Sequence, residues 1–279
     1  MIKKYDAVDK IYNFWEENYP WEWGTKQFFD WKHINDPYKN SLFFTVENDF
    51  EIETAAAYKL YPSIFNGKDI SVLYIMDSAT KEDYKKNGNI KAINKYANES
   101  INFDISVGFA RKDWYEKYWS KGATNLFDIY TYKTPPSFEN EISETVSDLG
   151  FIASTLNENK TSFHIKRTED YISYLSRCPK YEKIEFLISG DLLIGIGINQ
   201  NDVRILEMSN FSEDDLKKAV KMASIYNKTI IYDSPQVIDK RYETINIMTV
   251  MLRTVKSDIY SFLSQEECKW LWIPVLDRK

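Results

Sequence analysis

The residues best placed to do chemistry lie between Val72 and Phe109. An apolar run, Val72–Met76, leads into a polar loop carrying one glycine, Gly88. A helical pattern and a second apolar run, Ile105–Phe109, follow. Strand, loop, helix, strand is the pattern of a crossover between parallel strands. The loop opens onto a helix N-terminus, where unpaired N–H groups and the helix dipole suit an anion such as phosphate. The backbone of Lys86, Asn87, Gly88, Asn89 and Ile90 supplies the candidate donors, and Lys85 and Lys86 add positive charge. An ordinary first turn with solvated lysines is the other reading. Asp77 directly follows the apolar strand, where desolvation raises a carboxyl's pKa and suits it to take a proton or orient a water. A strand-end aspartate tying down a turn is its other reading. His33 reads either as a base or substrate contact, or as a packed or solvent-facing histidine.

The segment Asp77-Ser-Ala-Thr-Lys-Glu-Asp-Tyr-Lys-Lys-Asn-Gly88 resembles the acyl-CoA-binding segment of the GNAT acetyltransferase superfamily. The family signature [RQ]-x-x-G-x-[GA] falls on Lys85-Lys86-Asn87-Gly88-Asn89-Ile90, with Gly88 matching, Lys85 in place of Arg or Gln, and Ile90 at the small-residue position. Tyr118-Trp-Ser-Lys-Gly122 is similar to the family's Y-x-K-x-G-F segment, and Phe29-Asp-Trp-Lys-His-Ile-Asn-Asp-Pro37 to its W-K-x-x-x-N-P start. The resemblance implies acetyl transfer from acetyl-CoA, or another acyl-CoA, to a primary amine of a small molecule such as an amino sugar. It implies that two parallel strands splay apart and that Ser78, Ala79 and Thr80 pair with the pantetheine arm, as in strand addition. It places Tyr118 where relatives keep a tyrosine that protonates the leaving thiolate, which a phenol of pKa about 10 can do. A core tyrosine on an aromatic helix is the other reading of Tyr118.

Composition sets the limits. The chain has 279 residues, 43% hydrophobic and 28% charged, which is a globular balance sufficient for one large or two ordinary domains. A net charge of −6 argues against broad nucleic-acid binding. Two cysteines, Cys178 and Cys268, and two distant histidines leave no metal-ligand spacing, so no metal is expected. The 16% aromatic content reads as core packing or as a ligand-stacking surface. Neither a signal peptide nor an apolar run of about 20 residues is apparent, and the protein reads as cytoplasmic.

Elements must then position these residues. The spacing of Val8, Ile11, Tyr12 and Trp15 predicts a helix over 6–19, and Thr25 caps a second over 25–34. Leu42–Glu47 and Thr54–Tyr61 read as strands, and Asn66-Gly67 turns Ala55–Phe65 into an antiparallel neighbour of Ile70–Thr80. Gly122 ends a helix from Trp114, and Leu126–Tyr132 is a strand. After the break at Thr134-Pro-Pro136 the pattern restarts. A helix spans Glu169–Arg177, and strands Ile184–Ile188 and Leu192–Asn199 flank Gly190-Asp191. Strand Val203–Met208 follows, then a helix capped at Ser212, then strands Thr229–Tyr232, Asn246–Leu252 and Lys269–Val275. Gly195-Ile-Gly197 lies inside a strand with no helix after it, so it is no nucleotide motif.

The expected fold is α+β: two GNAT-like domains, each a mixed, mostly antiparallel sheet flanked by helices, with a splayed parallel pair in the first. The boundaries are 1–135 for an acyl-CoA-binding domain, 136–160 for a linker and 161–279 for a degenerate second domain. The acidic Ser209–Asp215 stretch would repel a pyrophosphate, so the second half is expected not to bind CoA. Two other readings stand beside the acyltransferase. One is a peptidoglycan-bridge aminoacyl-transferase using charged tRNA, against which the acidic balance counts. The other is a non-catalytic GNAT-like binding module.

Overall fold

A computed structural model describes residues 2–5, 8–18, 25–49, 51–65, 67–119, 121–139, 141–158, 163–234 and 243–255. The first half is laid out as its periodicities predict. Helix α1 (Val8–Asn18) buries Ile11, Tyr12, Phe14 and Trp15, and α2 (Lys26–His33) starts at Thr25, whose hydroxyl accepts from the Phe28 N–H. Strands β1 (Ile2–Tyr5), β2 (Ser41–Glu47), β3 (Ile52–Phe65) and β4 (Lys68–Thr80) form an antiparallel series. Helix α3 (Asn89–Ser100) then carries the chain across to β5 (Ile105–Arg111), which lies parallel to β4. Burial on both faces explains the long apolar reading of β3. Ala55 and Ala57 pack beneath α1 and α2, while Ala56 and Tyr58 pack beneath α3.

The chain continues through a short helical turn, α4 (Lys112–Trp114), which widens into a π-turn over Tyr115–Trp119, and then β6 (Thr124–Thr134). The segment expected as linker contains a strand, β7 (Glu144–Val146), and a helix, α5 (Leu149–Asn157). Next come β8 (Phe163–Ile165), α6 (Glu169–Leu175), β9 (Lys183–Ser189), β10 (Leu192–Ile198) and β11 (Asp202–Met208). Helix α7 (Glu213–Ala223), β12 (Thr229–Ser234) and β13 (Glu243–Val255) complete the described chain. Gly197 and Gly195 serve packing. A Cβ on Gly197 would meet the Tyr181 ring at 2.5 Å, and one on Gly195 the Phe186 ring at 2.8 Å.

The sheet is continuous across the boundary expected at 136–160. Its order is β1-β2-β3-β4-β5-β13-β6-β12-β11-β10-β9-β7, with β8 paired to β3. Strand β13 covers the expected Asn246–Leu252 strand, but it does not close the second half. It inserts between β5 and β6, antiparallel to both, while β6 pairs with β12. The cause is visible in the packing. Val250 on β13 is fully buried in the same cluster as Val72, Ile105 and Val107. The expected strand Lys269–Val275 lies outside the described residues. Because each half's strands flank the other's, we expect urea unfolding to be one transition, coincident by far-UV circular dichroism and tryptophan fluorescence. Val250→Ala is expected to lower its midpoint, at a cost of about 2–3 kcal/mol. Two separated transitions, with only one moved by Val250→Ala, would contradict this.

Candidate active site

The parallel ladder between β4 and β5 is short. It registers Val72 with Ile105 through Ile75 with Gly108, although β4 runs on to Thr80 and β5 to Arg111. At the same level β4 carries a bulge. Tyr58 of β3 faces Ile75 and Ala56 faces Ser78, so Met76 and Asp77 together oppose Ala57. A bulge sends consecutive side chains to one face. Met76 packs against the α1–α2 side, and Asp77 reaches α2 itself. Beyond the bulge, Ser78, Ala79 and Thr80 remain paired to β3 on one edge, while among the described residues no ladder to β5 occupies the other.

Asp77 sits in a small polar nest within aromatic surroundings. Its Oδ2 lies 2.8 Å from Lys32 Nζ and 3.0 Å from His33 Nε2. His33 is enclosed by the rings of Trp15, Phe29 and Phe43, and its Nδ1 lies 3.3 Å from Ser41 Oγ. Burial pushes the imidazole down to about 4, against the opposing pull of Asp77, so the ring is neutral at pH 7. A neutral ring facing a carboxylate carries its proton on Nε2 and donates it to Asp77, leaving Nδ1 to accept from Ser41. Desolvation pushes Asp77 upward, as expected from its place after an apolar strand. The Lys32 charge and the His33 hydrogen bond outweigh it, so the carboxyl is held well below the usual range. It is therefore ionised at neutral pH rather than poised as a base near neutrality.

The start of α3 differs from those of α2, α5, α6 and α7. Helices α2, α5, α6 and α7 each close their first turn with a side chain, from Thr25, Asp148, Thr168 and Ser212. The N-cap of α3 is Gly88, at φ +78° and with no side-chain cap, so the first N–H groups, those of Asn89 and Ile90 among them, are left for solvent or a ligand. Lys86 takes φ +79°, in the left-handed region unusual for a side-chain-bearing residue. Asn87 and Lys86 are exposed, and the Lys85 ammonium is tied to Glu82 by an ion pair. Tyr118 lies on the π-turn that follows β5; its side chain lies outside the described residues.

The second half repeats the strand–helix–strand layout with a different outcome. The β11–β12 ladder registers only Asp202–Arg204 with Thr229–Ile231, and β11 also carries an irregularity, between Ile205 and Glu207. Glu207 there pairs with Arg167 at 2.7 Å, both fully enclosed. Helix α7, however, is sealed by its own capping box, Ser212 with Asp215, behind three acidic residues. Among the described residues no cluster of three or more His, Cys, Asp or Glu could hold a metal ion.

Lys32 and Ser41 were not singled out from the sequence. One signal existed. Phe28, Phe29 and Trp31 cannot share a narrow stripe, so α2 is buried around most of its girth, and Lys32 and His33 must find polar partners inside. A pH dependence follows from the histidines. His33 is lowered to about 4 and His164, also by burial, to about 3, against about 6.5 unfolded. The unfolded chain then binds more protons between those values, so stability is full above pH 6.5 and falls as pH drops toward 4. Each histidine contributes about 1.4 kcal/mol per pH unit near pH 5. Urea unfolding at pH 5 and pH 7 measures it, and equal stability at the two would contradict the neutral, buried assignment.

No family model matches the sequence, and no curated protein matches it. Solved structures do match. The chain is similar to the GCN5-related N-acetyltransferase of Anabaena variabilis ATCC 29413, with a TM-score of 0.64, 12% identity, and coverage of 90% of this chain and 72% of that one. It is similar to the GCN5-related N-acetyltransferase of Kribbella flavida, with a TM-score of 0.62, 11% identity, and coverage of 90% and 71%. Identity at this level speaks for the fold alone: the chain has the mixed α+β fold of GCN5-related N-acetyltransferases.

Proposed function

We propose that this protein is an acyl-CoA-dependent N-acyltransferase that moves an acetyl group from acetyl-CoA to the primary amine of a small molecule, such as an amino sugar. The observation that carries the reading is a juxtaposition. An uncapped helix N-terminus at Gly88 follows a parallel ladder that stops at Ile75. The first suits the pyrophosphate, held by N–H groups of Lys86, Gly88, Asn89 and Ile90, since the Asn87 N–H is donated to the Tyr84 carbonyl, with charge from Lys86 beside the Glu82-paired Lys85. The second suits the pantetheine arm, paired with β4 at Ser78, Ala79 and Thr80, where among the described residues no ladder to β5 runs. An N–H there polarises the thioester carbonyl. Tyr118 gives its proton to the departing thiolate.

In this reading the chain is a tandem of two GNAT-like halves, 1–135 and 161–279, with β13 returned to the first sheet. The second half, sealed at α7, shapes the acceptor side rather than holding CoA. A cytoplasmic setting accords with the use of acetyl-CoA.

Calorimetric titration with acetyl-CoA tests the reading. At 100 times its Kd the ligand is expected to stabilise the fold by about 2.7 kcal/mol. Gly88→Asp is expected to weaken binding at least about tenfold by charge, whereas Gly88→Asn, which tolerates the left-handed backbone, retains it. A Cβ at Gly88 meets nothing within 4 Å, so a clash does not confuse the comparison. Tyr118→Phe is expected to lower kcat by about 10²-fold or more with acetyl-CoA affinity unchanged. No binding at millimolar acetyl-CoA would remove the proposal.

A further inference from the structure

We propose that Asp77 is the binding site for the acceptor's primary amine, and that Lys32 makes that site select the neutral, nucleophilic form of the amine. The inference rests on the acyltransferase reading above. Position is the first ground. Asp77 lies two residues past the last laddered residue of β4, on the bulge, and faces α2 beside the opened strands. Accessibility is the second. The Asp77 side chain keeps 14% of its surface exposed, against 6% for Lys32 and 0% for His33, so a ligand entering there meets the carboxylate first. The third ground is the free oxygen. Lys32 and His33 both bond Oδ2, which leaves Oδ1 to accept an N–H.

The electrostatics then decide the form bound. A lone carboxylate stabilises an ammonium, which has no lone pair to attack with. The Lys32 ammonium, 2.8 Å from the carboxylate, cancels that preference, because a like charge within about 4–6 Å disfavours a second cation. The rings of Trp15, Phe29 and Phe43 packed around His33 make that side of the site apolar, so these charges act more strongly than in open water. Among the described residues, the charged and titratable groups facing the site are Lys32 and His33 from α2, and Lys59 from β3, whose ammonium is held by Asp36 at 2.7 Å. The acceptor gives one proton to bulk water on binding as R–NH2. Its nitrogen lone pair forms the C–N bond, the C–S bond breaks, and the second proton ends on the CoA sulfur.

The test is the pH profile of N-acetyl transfer to a primary amine by the full chain, for the wild type, Lys32→Met and Lys32→Arg. Lys32→Met is expected to move the acid limb of kcat up by about one pH unit or more, since the bound ammonium is no longer disfavoured. The limb of kcat/KM, set by the free amine, stays, and Lys32→Arg returns kcat to the wild-type profile. Acetyl-CoA affinity unchanged in all three confirms that the fold is intact. Should Lys32→Met not fold, Asp77→Asn carries the test, with acceptor KM raised at least tenfold and acetyl-CoA affinity unchanged. Wild-type transfer with an unmoved kcat limb in Lys32→Met, or an unmoved acceptor KM in Asp77→Asn, overturns the inference and leaves the acyltransferase reading standing. A wild type that binds no acetyl-CoA overturns both.

Discussion

The parallel ladder between β4 and β5 stops after Ile75 and Gly108, and the candidate site follows from that interruption. A ladder running to the strand ends would bury the backbone of Ser78–Thr80 and leave no edge for a ligand to pair with. The bulge at Met76–Asp77 accompanies the end of the ladder and turns an acidic side chain onto the α2 face. Helix α2 in turn is buried so broadly that its Lys32 and His33 must be satisfied inside, and Asp77 bonds both. A buried ion pair adds little stability over well-packed apolar residues. Its presence beside an opened strand edge is better accounted for by what it does to a bound charge than by what it adds to folding.

The second half shows the same layout with a helix start that caps itself. Its parallel ladder is also short, and its acidic residue beyond the ladder, Glu207, also meets a cation, Arg167. There both partners are enclosed, and the first turn of α7 is closed by Ser212 and Asp215. The contrast lies in capping. One helix start keeps its donors for something else, and the other uses them itself. The exchange of β13 and β6 binds the halves into one sheet, so the opened edge in the first half is supported on β5 by a strand from the end of the described chain.

Local pattern carried most of this into the sequence. The 3.6-residue spacing of α1, the cap at Thr25, the antiparallel pairing of β3 with β4 and the capping box at Ser212 each rest on neighbours in the chain, and each is found where the spacing puts it. Asp77 and Gly88 stood out because they close an apolar strand and open a helix. What the sequence did not carry was long-range pairing. Nothing near Asn246–Leu252 says that this strand inserts between β5 and β6, since any antiparallel partner of the right hydrophobicity satisfies it. Nor does the pair Lys32-His33 announce a partner more than forty residues away. The direction of Asp77's pKa depended on that partner, so burial alone pointed the wrong way.

The central claim is that the edge at Ser78–Thr80 and the helix start at Gly88–Ile90 hold one acyl-CoA together. Hydrogen exchange with and without CoA, resolved to single amides, tests it most directly. Slowed exchange is predicted in both segments at once, with Ser212–Asp215 unaffected because α7 caps itself. CoA binding that leaves both first-half segments unprotected, or that protects the start of α7 instead, would contradict the account.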